Sequence, residues 1–112
     1  MRYEFWLNET VDPARDYFNF DGYRPGAHMK LGYSALFADF CHNRNHPYVL
    51  ESLFETFNIN HPGDYRDRSL SVGDVVVLIE DGKRTAYACE PAGWTRLLVF
   101  DPTTKNPSWS SR

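Results

Sequence analysis

The chain has 112 residues, 42% of them hydrophobic, with 8 Phe, 7 Tyr, 3 Trp and a formal charge of −3. A chain of this length suits one domain that buries roughly 60–70% of its unfolded surface, and this aromatic content excludes general disorder. The slightly acidic balance disfavours duplex binding, which goes with a clear basic excess, and the longest apolar run, 75–79, is far short of a membrane span.

Tyr3, Phe5 and Leu7 alternate with Glu4 and Trp6, which predicts a first strand. The opening Met1-Arg2-Tyr3-Glu4-Phe5-Trp6 carries no apolar leader core. Pro13 behind Asp12 suits the start of a short helix over 14–20, and the two glycines and one proline of 21–26 predict a loop. Leu31, Tyr33, Ala35 and Phe37 alternate with smaller or polar residues and predict a second strand. Residues 39–46 are polar and read as a connection. Pro47 then opens the main helix, 47–58, in which Leu50, Leu53, Phe54 and Phe57 fall at i, i+3, i+4 and i+7.

Residues 58–67 contain Pro62-Gly63-Asp64 and predict a loop. Val75-Val76-Val77-Leu78-Ile79 is a buried, β-branched strand, and Asp81-Gly82 behind it is a two-residue hairpin signal, because both turn positions need positive φ. The chain returns over 84–90, turns at Pro91-Ala92-Gly93 and forms a last strand from Trp94 to Phe100. The expected fold is α+β: a small curved antiparallel sheet of about five strands packed on one main helix. Residues 1–100 form the domain, and 101–112 read as a polar tail.

The chemistry-bearing residues are sparse. Cys41, His42 and His46 lie close together, with Asp39 and His61 nearby. A metal site would need His42 and His46 on one helix face, but Pro47 places the helix after them, and structural zinc calls for four ligands. The competing reading is a polar loop with Asn45 or His46 as helix cap. Cys41 beside a histidine could be a nucleophile pair, yet it carries no local signature of a cysteine hydrolase. Cys89 reads as a small core residue. Two cysteines outside any CxxC pair imply free thiols and a reducing cytoplasm. Asp12, Asp16, Asp21, Asp39, Asp64, Asp67, Asp74 and Asp81 mostly sit beside Pro or Gly, where Asp makes turns. Gly22 and Gly26 flank Arg24 without the strand-to-helix context of an anion cradle. No catalytic residue, cofactor or metal is assigned.

The most distinctive stretch runs from Asp64-Tyr65-Arg66-Asp67-Arg68 through Ser69-Leu70-Ser71-Val72-Gly73-Asp74 into the valine strand. Structurally, Gly73 permits a tight bend while Asp and Ser side chains satisfy backbone N–H groups. Functionally, Tyr65, Arg66 and Arg68, with Trp94 brought near by sheet curvature, would make a partner-binding patch, since Tyr, Trp and Arg dominate interface hot spots. This stretch, with the Phe-Glu-Thr-Phe-Asn helix end before it and Ala86-Tyr87-Ala88 and Gly93-Trp94 after it, resembles the YodL-like domain family of phages, plasmids and conjugative elements. The match is strong over the central third of the chain and loose over most of the first hundred residues.

The resemblance implies a non-enzymatic accessory protein of a phage or mobile element, in the cytoplasm of a bacterial host. It would bind a host or element-encoded protein in counter-defence or host modulation. In that family the domain occurs alone or in large proteins beside anti-restriction modules. The alternatives are a nucleic-acid-associated accessory protein using Arg66, Arg68 and Arg84, and a metal- or Cys-dependent hydrolase.

Overall fold

A computed structural model of the chain describes residues 1–9, 28–37, 45–59, 63–65, 70–91, 93–98 and 100. Its elements are strands β1 (Arg2–Asn8) and β2 (Met29–Leu36), helix α1 (His46–Ile59), and strands β3 (Val75–Glu80), β4 (Lys83–Glu90) and β5 (Gly93–Leu97). The strands form one sheet in the order β2-β1-β3-β4-β5, antiparallel at every pairing. The α+β architecture expected from the pattern is therefore the one observed. The helix expected over 14–20, the loop 21–26 and the tail 101–112 lie outside the described residues.

The helix starts one residue earlier than its proline suggests. Asn45 is its cap: its side-chain oxygen accepts from the Tyr48 N–H at 3.3 Å and its carbonyl from the Val49 N–H at 2.9 Å. The buried stripe is Val49, Leu50, Leu53 and Phe57. Phe54, expected in that stripe, is only partly buried, at its margin. The stripe covers one sheet face, built from Tyr3, Phe5, Leu7, Val76 and Leu78, and Tyr65 and Leu70 complete the core. Phe57 stands edge-on to Phe5, with ring centroids 4.4 Å apart, and to Tyr65 at 5.0 Å, a favoured aromatic geometry. Asn58 fastens the returning chain to the helix end. Its amide accepts the Leu70 N–H at 2.8 Å and donates to the Leu70 carbonyl at 3.2 Å.

The opposite face is built from small side chains: Val75, Val77, Ala86 and Ala88 with Met29, flanked by Trp6, Ile79, Leu97 and Phe100. The β3–β4 connection is the expected two-residue turn. Asp81 has φ 53° and Gly82 φ 80°, both left-handed, and Glu80 pairs with Lys83 across the turn.

One register feature was not expected. Phe5 pairs with Tyr33 but Trp6 pairs with Leu31, so Gly32 is the extra residue of a β-bulge. The simple alternation of Leu31, Tyr33 and Ala35 therefore breaks. Tyr33 and Ala35 stay on the helix face, while Leu31 turns to the opposite one.

Candidate protein-binding surface

The bend before β3 has the geometry its residues imply. Gly73 has φ 94°, and Asp74 is fully buried. One Asp74 carboxylate oxygen accepts the Asn8 N–H at 2.8 Å and the other the Ser71 N–H at 2.8 Å. The Asn8 side chain donates to the Gly73 carbonyl at 3.2 Å, and the Gly73 N–H donates to Cys89 at 2.8 Å. The node ties the end of β1 and the end of β4 to the start of β3, which is a structural task. Cys89, also buried, is a core residue as its sequence context suggests. Burial pushes its thiol up to about 12, helped by the carboxylates of Asp74, Glu51 and Glu90.

Of the patch expected from Tyr65, Arg66, Arg68 and Trp94, only Tyr65 and Trp94 are among the described residues, and these two lie apart. Tyr65 is only 2% exposed and packs on Phe5, Tyr33 and Phe57, so its ring is a core element. The alternating polar residues around it hid this. Trp94 sits at the other margin of the helix, where it meets Phe54 edge-on at 6.2 Å and donates to Glu51 at 3.2 Å. Tyr65 contacts β1 and β2 and Trp94 lies on β5, so the two are at opposite sides of α1. Arg66 and Arg68 lie outside the described residues, as do Cys41, His42 and His61. Asp64 accepts the Tyr33 hydroxyl at 3.0 Å. Burial, then the Asp64 hydrogen bond and charge, raise the Tyr33 phenol, and burial with Tyr33 and Asp64 pushes Tyr3 up to about 12.

The bulge creates a different surface. On the face away from the helix, Leu31 is 45% and Leu36 65% exposed on the outer strand β2. Their neighbours on β1 are Trp6 and Arg2. Between them, Glu4 accepts the Trp6 indole at 3.0 Å and binds Arg84 at 2.6 Å. Burial opposes ionisation of Glu4, but the Arg84 and Trp6 hydrogen bonds and the Arg84 and Arg2 charges outweigh it and hold its carboxyl low. The result is a strip of two exposed leucines, a half-buried tryptophan and two arginines. The sequence signal that could have located it is Gly32, since a lone glycine inside a strand pattern marks a bulge.

The family model of the YodL-like domain matches residues 20–100. The chain belongs to the YodL-like domain family. Its similarity to "Uncharacterized protein YodL" of Bacillus subtilis (strain 168) is 36% identity over 72 residues, covering 61% of this chain and 68% of that protein. No solved structure matches the chain. The matched region spans β2, α1 and the three-stranded β3–β5 unit, so it includes Gly32 and both exposed leucines. Among the described residues, no helix is long and apolar enough to cross a membrane, and no group of three or more His, Cys, Asp or Glu is placed to hold a metal ion.

Proposed function

We propose that this YodL-like chain is a non-enzymatic accessory protein of a phage or other mobile element that binds a host or element-encoded protein in the bacterial cytoplasm. Counter-defence or modulation of the host is the role that fits the genetic setting the family resemblance implies. The observation that carries the reading is the strip on β2 and β1: exposed Leu31 and Leu36 beside Trp6, Arg2 and Arg84. Interface cores favour Trp and Arg over Lys and Glu, and an apolar strip rimmed by paired charges suits a protein partner. Buried Asp74 and Cys89 have structural places in the bend and the packed sheet, and exposed Asp64 accepts the Tyr33 hydroxyl. Arg84, invoked for the nucleic-acid alternative, is engaged by Glu4.

The test is affinity capture from host lysate with identification of the bound protein, using the wild type and a Leu31→Asp, Leu36→Asp double variant. Both sites are exposed, so the variant should melt near the wild type and lose the partner. Retention of the partner by the folded variant would move the interface elsewhere. A salt series on the wild type with DNA separates the alternative, because phosphate-driven binding weakens steeply with salt.

A further inference from the structure

We propose a small oxyanion site at the start of α1, selective for phosphate that carries a proton. A cavity of about 120 Å³ lies where the helix start meets the β3–β4 hairpin, lined by His46, Leu78, Glu80, Lys83 and Thr85. The helix end alone is not the argument, since Asn45 already serves the Tyr48 and Val49 N–H groups and Pro47 has none.

The second observation is Thr85. It is 7% exposed, it lines the cavity, and among the described residues its hydroxyl forms no hydrogen bond. A buried hydroxyl without a partner is costly to the fold, so a ligand that pairs with it relieves an existing deficit. The other donors converge on the same space. His46 Nδ1 lies 2.7 Å from the Tyr87 hydroxyl; with Tyr87 donating, the ring proton is on Nε2. Nε2 is 3.9 Å from Glu80, too long for a hydrogen bond, and both residues line the cavity. Lys83, opposite Glu80 in the hairpin, supplies a cation.

Glu80 sets the selectivity. A carboxylate repels an oxyanion that has only acceptors, but it accepts a hydrogen bond from a P–OH group. Hydrogen phosphate retains a proton near neutral pH and sulfate has none. The site therefore takes inorganic phosphate first, and a phosphate monoester only once mild acidity protonates it.

The experiment is calorimetric titration of the full chain with inorganic phosphate, sulfate and methyl phosphate, with melting curves alongside. Phosphate should bind and sulfate should not at neutral pH, with methyl phosphate binding only in mild acid. Lys83→Met should weaken phosphate binding about tenfold, the effect of one charge-assisted contact. Thr85→Val should also weaken it while leaving the ligand-free melting temperature unchanged or higher, since it removes an unpaired hydroxyl. Glu80→Gln should admit sulfate. Equal stabilisation by phosphate and sulfate, as surface exclusion gives, overturns the proposal. So does phosphate binding that both Lys83→Met and Thr85→Val leave intact.

Discussion

The two faces of the sheet solve the same problem with different materials. The helix face is filled by large aromatic rings: Tyr3, Phe5, Phe57 and Tyr65 interlock edge to face, and Tyr33 closes the group. The far face is filled by Val75, Val77, Ala86 and Ala88, with Trp6 at the margin and an ion pair beside it. Large rings span the gap to a helix, whereas small side chains let whatever lies above the far face approach closely. The helix face should therefore carry more of the stability, and the far-face margin is where side chains remain accessible to a partner.

The largest expected effect is Phe57→Ala, which should cost roughly 3–5 kcal/mol in chemical denaturation, because a 1% exposed ring leaves a cavity among rigid neighbours. Asp74→Ala should come next, at roughly 2–4 kcal/mol, since it strands the Asn8 and Ser71 N–H groups inside the fold. Val77→Ala, the matching truncation on the far face, should cost about 2 kcal/mol. A loss equal to that of Phe57→Ala would erase the contrast between the faces. Gly82→Val places a β-branched residue at φ 80° in the hairpin both faces share, and should cost about 1–2 kcal/mol. Gly82→Asn should recover most of that, as asparagine tolerates the left-handed region.

The smallest effect is Arg84→Ala, at about 0–1 kcal/mol, since half of the Arg84 side chain is exposed. Its pH dependence is more telling than its size. The Glu4 carboxyl is lowered in the folded state, so its contribution is present above the ordinary carboxylate range and fades as pH falls through the folded value. The gap between wild type and Arg84→Ala should therefore close in acid, as melting temperatures across a pH series will register. A gap that persists in acid would assign the effect to lost packing of the arginine stem.

The sequence by itself determined the elements and their types. The 3.6-residue spacing of Leu50, Leu53 and Phe57 fixes the helix, the valine run fixes β3, and Asp81-Gly82 fixes the hairpin, because each signal is local in the backbone. The family was legible in the block from Arg68 to Val76 for the same reason. The candidate surface was not legible. Tyr65 looked like a loop contact, yet long-range packing on Phe5 and Phe57 draws it into the core. Leu31 looked inward-facing until the pairing of β1 with β2 placed a bulge at Gly32 and reversed it. Which side a strand residue faces depends on register, and register is set by a partner strand far away in the chain. The strip of Trp6, Leu31, Leu36, Arg2 and Arg84 was decided in the same way, by tertiary structure alone. It joins β2 and β1 to β4 across β3, and β3 pairs with β1 although β2 and α1 lie between them in the sequence.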